Sequence, residues 1–402
     1  MSASQTPKPS CVLAGSESLL IQCGALLLER EWGIAYVVSK DEAIVDWAEA
    51  QGLAVCAPGK SLAASLSGVA FDWFLSITNL SILSEDVLAL PQKGAINFHD
   101  GPLPAYAGMY TPAWALLHGA SEYGITFHEM TAGIDDGRIL VQKRFPIADG
   151  ETSLSLNTSC YAAAIEGFAE LATQLETDAL APVEQDASGR SYFARHQRPE
   201  AAGVLDFDRP AAENARIVRA LDFGDRYENP FCAAKVVHDG RVARVSSARV
   251  EADAEAEAGV VRLIDDAGWH VGAGEDTLVL SGFGCPRGRA WSPAEAAEAL
   301  GVAVGTRLAS GIDRAKLTAS NEAMTPAERF WARRLEKLDP VEAPYRSSGQ
   351  GDEAGRSASE PLVLEPLAGA ESGDDVAARF LLYLARIQGV HAFDVTWVDE
   401  AL

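Results

Sequence analysis

Residues 94–108, GAINFHDGPLPAYAG, decide how this chain folds. The stretch begins as an apolar strand, carries Asn97 and His99 on either side of Phe98, and then enters a turn rich in glycine and proline. Side chains alternate along a strand, so Asn97 and His99 share one face. Two polar side chains at the end of a buried strand are costly unless they have partners or a task. They therefore either anchor the following loop or perform chemistry.

The residues around this stretch alternate between short apolar runs and helical patterns. Such alternation predicts an α/β fold, a Rossmann-like parallel sheet with helices on both faces. Ligands bind beyond the carboxyl ends of the strands in these sheets, which places the segment after Ile96 at the mouth of the fold. The predicted strands are 11–14, 33–38, 54–56, 71–77, 94–99, 124–130 and 140–146, and the predicted helices are 18–31, 41–51, 84–90, 111–118 and 151–177.

A second stretch with polar side chains, GITFHEMTAGIDDGRIL, covers residues 124–140. A predicted strand runs into a loop that offers the acids Asp135 and Asp136. A carboxylate that reaches the imidazole of His99 would orient the ring and raise its basicity. The alternative is that both acids are solvated turn residues. We interpret His128 as a packed, hydrogen-bonded residue rather than a catalytic one.

The pattern changes from residue 204 onwards. A predicted helix at 211–221 is followed by short strands at 233–238, 241–249, 259–265, 270–272 and 277–283, which predict a small open barrel of the OB type. Residues 178–203 are expected to be a linker, and 324–338 an amphipathic helix. The predicted domains are a flexible arm over 1–10, the α/β domain over 11–195, the OB-like β-barrel domain over 204–310, and a helical linker with a partly disordered extension over 311–402.

The chain has a formal net charge of −24 and a sequence pI near 4.6. Nucleic acids are bound largely through Lys and Arg side chains, so this balance disfavours a nucleic-acid partner unless one face is locally basic. The six cysteines include no CxxC pair, and no apolar run resembles a signal peptide or a membrane span. We therefore expect a cytoplasmic protein without a zinc site and without a membrane partner.

Taken together, the two polar stretches resemble the folate-dependent formyltransferases, a family that includes methionyl-tRNA, glycinamide ribonucleotide, sugar and siderophore formyltransferases. The family's marks are an Asn-x-His strand end with a Leu-Pro turn, and later an Asp-x-Gly. Here they are Asn97-Phe98-His99, Leu103-Pro104 and Asp135-Asp136-Gly137. The resemblance covers roughly residues 10–310. It implies that Asn97, His99 and Asp135 are catalytic.

The implied reaction moves a formyl group from 10-formyltetrahydrofolate to an amine. The Asn97 amide and a protonated His99 would donate hydrogen bonds to the oxyanion that develops on the formyl oxygen. Asp135 would hold the imidazole and accept, directly or through water, the proton that the amine loses. The chemistry requires no metal.

The resemblance also indicates where the folate binds. It places the pterin against the loop after the 71–77 strand, with the loop at 130–135 on its other side. For Ile82 and Leu83 the alternative is ordinary packing at the start of a helix. The residues expected to bind the folate are Ile82, Leu83, Pro102, Leu103, Met130 and Gly133.

The amine that accepts the formyl group is less defined. The sequence HDGPLPAYAG after Phe98 is most similar to the formylation domains that begin some nonribosomal peptide synthetases, as in linear gramicidin synthetase. Residues 328–345 are similar to stretches that lead into synthetase modules. This resemblance implies an aminoacyl unit on a carrier protein as the acceptor. The tail is alternatively an ordinary helical extension. Other possibilities are a stand-alone enzyme for a hydroxyornithine-type siderophore precursor, a methionyl-tRNA enzyme, and a non-catalytic folate-binding or scaffolding module.

Overall fold

A computed structural model describes residues 8–224, 227–253, 256–308 and 312–336 of the chain. The described residues up to Ala323 form one compact unit, and those from Met324 form another. Most of the predicted arm over 1–10 lies outside the described residues, as does the predicted disordered extension beyond residue 336. None of the described helices is long and apolar enough to cross a membrane.

The first domain is built on a seven-stranded sheet with the order β3-β2-β1-β4-β5-β7-β8. Strands β2 and β5 have the predicted bounds, and the other strands of this sheet differ from their predictions by one or two residues at one or both ends. A short strand, β6, lies outside this sheet. The strands are β1 (Ser10–Gly15), β2 (Gly33–Val38), β3 (Val55–Cys56), β4 (Trp73–Ile77), β5 (Gly94–His99), β6 (Ala107–Gly108), β7 (Glu122–Glu129) and β8 (Ile139–Pro146).

The predicted parallel arrangement holds for the first five strands of the sheet and is wrong for β7, which runs in the opposite direction to its neighbours β5 and β8. Strands β1 to β5 pair in parallel, but β7 pairs with β5 and with β8 in antiparallel fashion. The reason is visible between β7 and β8. Only the loop at 130–138 joins them, which is too short for a parallel crossover of a dozen or more residues.

Helices cover both faces of this sheet, as an α/β fold requires. On one face Leu27 of α1 and Phe168 of α6 belong to the same buried cluster. On the other face Phe74 of β4 packs in a cluster with Leu62 of α3 and Val87 of α4. The α/β prediction is therefore confirmed. The helices are α1 (Glu17–Glu29), α2 (Glu42–Ala50), α3 (Leu62–Ser65), α4 (Glu85–Leu88), α5 (Thr111–Leu117) and α6 (Ser153–Glu176).

The connection between the domains is more structured than the predicted linker over 178–203. It contains β9 (Tyr192–Phe193), which pairs in parallel with β6. Its register sets Ala107 opposite Tyr192 and Gly108 opposite Phe193. The connection thus contacts the loop that follows the strand carrying Asn97 and His99.

The second domain consists of α7 (Ala211–Ala220) and an antiparallel sheet with the order β10-β11-β14-β13-β12, to which β15 adds beside β14. Trp269 is fully buried in its core and donates from Nε1 to the carbonyl of Pro293 at 2.9 Å. A β-sheet domain is present as predicted, but the described strands do not establish closure, so the OB-type barrel stays a prediction. The strands are β10 (Lys235–His238), β11 (Arg241–Glu251), β12 (Val261–Asp265), β13 (Gly268–Ala273), β14 (Asp276–Gly284) and β15 (Ala290–Trp291).

Three further helices follow the second sheet: α8 (Pro293–Leu300), α9 (Arg314–Met324) and α10 (Glu328–Glu336). The sequence interpretation missed α8, although Ser292 and Glu295 form a capping box and Gly301 ends the helix at φ 71°. The predicted helix over 324–338 corresponds to a short 3-10 turn followed by α10. Its last two residues lie outside the described residues.

Candidate active site

The pairing of β5 with β7 brings the two polar stretches together. Asn97 lies opposite His128, and His99 lies opposite Thr126. Because paired residues of neighbouring strands point to the same face, the side chains of Asn97 and His128 meet. The amide Nδ2 of Asn97 is 3.3 Å from Nε2 of His128.

Hydrogen bonds fix which way the Asn97 amide points. The Ser76 hydroxyl donates to Oδ1 of Asn97 at 2.8 Å, so Nδ2 faces His128. Nδ1 of His128 lies 2.8 Å from the carbonyl of Glu129, which can only accept, so Nδ1 carries a proton. Nε2 of a neutral His128 then accepts from Asn97. This network leaves one Nδ2 hydrogen of Asn97 available to a substrate.

The imidazole of His99 is buried and held at one nitrogen. Nε2 donates to the carbonyl of Tyr106 at 2.7 Å. Nδ1 faces two carboxylates, 3.7 Å from Oδ2 of Asp135 and 3.9 Å from Oδ1 of Asp100. These separations exceed a hydrogen bond, which is common in catalytic sites without substrate. A side chain at Gly101 would crowd the other ring nitrogen, since a Cβ there would lie 2.6 Å from Nε2 of His99 and 2.6 Å from the carbonyl oxygen of Tyr106.

Asp135 is placed beside both histidines by an unusual backbone conformation. Its φ is 50°, in the left-handed region, where a non-glycine residue is held at a cost of about 1–3 kcal/mol. Oδ2 accepts from the amide of Gly108 at 2.9 Å, and Oδ1 lies 3.5 Å from Nε2 of His128. Burial alone would raise the pKa of Asp135, but a positive charge on His99, the adjacent His128 and the hydrogen bond from Gly108 hold it well below its usual range. The carboxyl group is therefore ionised at neutral pH.

Asp100 is a second acid at the site, and the sequence interpretation did not single it out. Its Oδ1 is 3.3 Å from the hydroxyl of Thr111, which can donate to it. Its side chain is 32% exposed but closely surrounded by protein, and this loss of water raises its pKa against the opposing effect of His99. Its position directly after His99 was the available signal. Two acids with opposite pKa shifts beside the same imidazole nitrogen are typical of a site that moves protons.

The six residues expected to bind folate lie in different surroundings. Leu83 and Met130 are half-buried against the same cluster beside the sheet, whereas the Ile82 side chain is 91% exposed. Leu103 is buried, with its amide donating to Thr126 and its carbonyl accepting from Gln142. Two of the expected residues remain: Pro102 is buried and Gly133 is exposed.

The two acids of the 130–137 loop, Asp135 and Asp136, point in different directions. Asp135 faces the histidines, whereas Asp136 accepts from the hydroxyl of Thr131 on its own loop. His128, which we interpreted as a packed residue, is indeed buried and hydrogen-bonded, but it also joins Asn97 to Asp135. Within the described part of the chain there is no group of three or more His, Cys, Asp or Glu side chains that could hold a metal ion.

Comparison with known proteins shows which family and which fold this chain resembles. Residues 57–171 match the formyl transferase family. A methionyl-tRNA formyltransferase of Anaeromyxobacter sp. (strain K) is 32% identical over 248 residues, which are 60% of this chain and 77% of that protein. Two solved structures share the fold. WlaRD, a sugar 3N-formyl transferase studied with dTDP and 5-N-formyl-THF, has a TM-score of 0.56 at 17% identity and covers 69% of this chain and 98% of its own. HypX from Aquifex aeolicus in complex with tetrahydrofolic acid has a TM-score of 0.52 at 16% identity and covers 74% of this chain and 48% of its own.

Proposed function

This chain belongs to the folate-dependent formyltransferase family, and from that membership we propose that it transfers a formyl group from 10-formyltetrahydrofolate to an amine at the site of Asn97, His99 and Asp135. The observation that carries the assignment is the position of Asp135. Its carboxylate lies 3.7 Å from Nδ1 of His99 and 3.5 Å from His128, which in turn contacts Asn97. An amide, an imidazole and an ionised carboxylate thus share one corner of the sheet.

Asn97 is suited to stabilise the oxyanion that develops on the formyl oxygen. Its amide is held by Ser76 and His128, so the remaining Nδ2 hydrogen has a fixed direction. A preorganised donor of this kind contributes on the order of 3 kcal/mol to the transition state. The amine nitrogen attacks the formyl carbon of the folate to give a tetrahedral oxyanion. The oxyanion collapses as the bond from that carbon to the folate nitrogen breaks, and the folate nitrogen takes up the proton that the amine has lost.

His99 is suited to take the proton that the attacking amine loses. Because Nε2 donates to Tyr106, a neutral imidazole presents an unprotonated Nδ1 to the gap between the two acids. Asp135, with its lowered pKa, is a weak final proton acceptor but stabilises the imidazolium that forms. The protonated Nδ1 can then donate to the developing oxyanion.

The apolar surface near Leu83 and Met130 supports the proposed folate site. A pterin has faces that pack on apolar side chains and an edge of nitrogen and oxygen atoms that form hydrogen bonds, and ligand sites of this kind combine apolar walls with a few polar groups. Ile82 and Leu80 are exposed to 91% and 70%, although both are large apolar side chains. We assign this surface to the folate.

We infer an aminoacyl unit on a carrier protein as the acceptor. The motif wording after Phe98 supports it, and so does the net charge of −24, which works against a polyanion. The acids Asp135 and Asp100 would attract the ammonium form of any amine. A second candidate is methionyl-tRNA, since the Anaeromyxobacter relative carries that name.

The test is mass spectrometry for the gain of one formyl group on candidate acceptors incubated with 10-formyltetrahydrofolate. We expect His99→Ala and Asp135→Asn each to slow transfer at least about a hundredfold. Asp136→Asn, a change of the same kind at the next residue, should leave the rate unchanged. Normal turnover of both site variants would refute the assignment, and folate binding without transfer to any acceptor would favour a non-catalytic module.

The acceptor is decided by offering an aminoacylated carrier protein, methionyl-tRNA and a free hydroxyornithine in parallel. Transfer to the carrier alone is expected. Preferred transfer to methionyl-tRNA, with affinity that falls steeply as salt rises, would replace the carrier proposal with the tRNA enzyme. Preferred transfer to the free amine would indicate a stand-alone enzyme.

A further inference from the structure

Residues 185–193 of the interdomain connection, which we call the bracing segment, contact both loops of the active site. One loop, at 100–108, supplies the carbonyl that holds His99. The other, at 130–137, carries Asp135. No sequence pattern distinguishes these residues from an ordinary linker, and the proposed mechanism does not use their side chains.

The contacts to the 130–137 loop are made by two side chains. Nε2 of Gln185 donates to the carbonyls of Asp135 at 3.0 Å and Gly137 at 2.7 Å. The guanidinium of Arg190 donates to the carbonyls of Ile134 at 2.7 Å and Asp135 at 3.1 Å. The carbonyl of Asp135 thus accepts from both side chains, and the carbonyls one position before it and two positions after it are held as well.

The contacts to the 100–108 loop are made through the backbone and one hydroxyl. The amide of Tyr106 donates to Oγ of Ser191 at 2.8 Å, and the amide of Ala107 donates to the Ser191 carbonyl at 2.9 Å. The Ala107 amide and the Tyr106 carbonyl belong to the same peptide group, so the bond to Ser191 also fixes that carbonyl. That carbonyl is the acceptor of the His99 Nε2 proton.

The far end of the bracing segment is anchored in packed aromatic rings. Phe193 stacks on Trp114 of α5 with ring centroids 5.0 Å apart and on Tyr106 at 5.8 Å. Trp114 also meets Phe231 of the second domain edge-on at 5.3 Å. The segment is buried at Phe193, so it can impose a position on the loops that it touches.

The donors of the bracing segment matter because Asp135 adopts a left-handed conformation at φ 50°. Such a conformation persists in a non-glycine residue only where the surroundings hold it. Gln185 commits both hydrogens of Nε2 to the loop, while its Oε1 is buried without a hydrogen-bond partner among the described residues. A buried unsatisfied oxygen is tolerated here in exchange for two contacts to the catalytic loop.

We propose that Gln185 and Arg190 are positioning residues for formyl transfer, which hold the backbone of Asp135 so that its carboxylate stays between His99 and His128. This inference rests on the proposed function for its kinetic consequence. Neither side chain contacts the reacting atoms. Their effect passes through the backbone at 134–137, which carries Asp135.

Gln185→Glu tests the proposal with the smallest change of shape. It replaces the amide NH2 by an oxygen, so both donors are lost and a negative charge faces two carbonyls. Arg190→Lys keeps the positive charge but loses the planar pair of donors. Arg195→Lys is the matched control, because Arg195 is exposed on the same connection and its side chain makes no hydrogen bond or ion pair among the described residues.

We expect kcat to fall about tenfold to hundredfold in Gln185→Glu, as small misplacements of a catalytic group do, with a smaller fall in Arg190→Lys and none in the control. KM for the folate should change less than twofold. The second readout is the titration of the Asp135 carboxyl carbon by NMR, assigned with Asp135→Asn. Its pKa should move from well below the usual range towards that range in both variants.

An unchanged kcat in both variants would overturn the proposal, as would a fall in kcat that merely follows the folded fraction while the Asp135 titration stays as in the wild type. If Gln185→Glu does not fold, Arg190→Lys provides the same test, because the Arg190 side chain is exposed and its replacement should not disturb the core. If the wild-type chain transfers no formyl group to any acceptor, the proposed function fails. The NMR titration still decides whether these two side chains position Asp135.

Discussion

The main-chain amide of Gly108 donates to Oδ2 of Asp135 at 2.9 Å, across 27 positions of the sequence. Gly108 belongs to β6, whose pairing with β9 sets its place, whereas Asp135 lies on the loop between β7 and β8. This single hydrogen bond joins the two loops beside His99. It also stabilises the charged form of the carboxyl group, because an amide donor favours an anion.

Gly108→Ala should break that junction. Gly108 has a φ of 102°, and a Cβ there would lie 2.2 Å from the carbonyl of Phe193, so β6 must move away from β9. We expect loss of most transfer activity together with a destabilisation of about 1–3 kcal/mol from the backbone alone. Rate measurements and urea unfolding check the two effects separately.

Gly150→Ala is the control for this substitution. Gly150 also has a positive φ, 83°, but a Cβ there would meet no atom within 4 Å. It should lose stability from backbone strain and keep its activity per folded molecule. Equal loss of activity in both variants would contradict a specific role for the β6 junction.

Ser76→Ala should reduce transfer by releasing the amide of Asn97. The Ser76 side chain is buried, and its hydroxyl is the donor that holds Oδ1 of Asn97. Without it the amide can reverse and lose its contact with His128, so kcat should fall about tenfold, less than the hundredfold or more expected for loss of an oxyanion donor itself.

Ser153→Ala provides the comparison for Ser76→Ala. Ser153 is equally buried and donates to the carbonyl of Ala220 at 2.6 Å, in a contact that involves none of the site residues. Both variants should lose on the order of 1 kcal/mol of stability. Only Ser76→Ala should slow transfer, and a matching kcat in the two would remove the orienting role of Ser76.

Sequence patterns predicted the strands well because buried strands are marked by continuous apolar runs. The bounds of β2 and β5 were correct for this reason. Strand direction is a different matter, since it depends on the length and path of the connections. The antiparallel pairing of β7 with β5 was therefore missed.

Only those site residues that lie in short sequence motifs could be predicted. Asn97, His99 and Asp135 stood out through the family resemblance, and the fold brings Asp135 beside His99. Ser76 lies opposite Asn97 only through the parallel register of β4 with β5, which no local pattern encodes. Gln185 gave no signal at all, because it acts through backbone carbonyls that any residue carries.

The two acids beside His99 should have opposite effects on stability. The pKa of Asp135 is lowered on folding, so its ionised form stabilises the fold at neutral pH. Asp135→Asn should therefore decrease the free energy of unfolding at pH 7. The difference from the wild type should shrink as the pH falls below the ordinary carboxyl pKa, about 3.9, towards the lowered value.

Asp100→Asn should change stability in the other direction. The pKa of Asp100 is raised on folding, so its ionised form is disfavoured in the folded protein at neutral pH. The amide removes that penalty, and the free energy of unfolding at pH 7 should increase. The gain should disappear as the pH falls through the raised pKa towards about 3.9. Urea unfolding of both variants between pH 3 and 8 checks the signs, and a loss of stability in Asp100→Asn at neutral pH would contradict the assignment.

Ile82→Ser tests the surface assigned to the folate. The side chain is 91% exposed, so the substitution should leave the free energy of unfolding nearly unchanged. If the pterin covers Ile82, the lost apolar contact should raise KM for 10-formyltetrahydrofolate about tenfold, with little change in kcat. Val304→Ser, at a side chain 62% exposed in the second domain, is the matched control and should leave KM unchanged. An unaltered KM in Ile82→Ser would move the folate away from this loop, towards the side of the site lined by Met130.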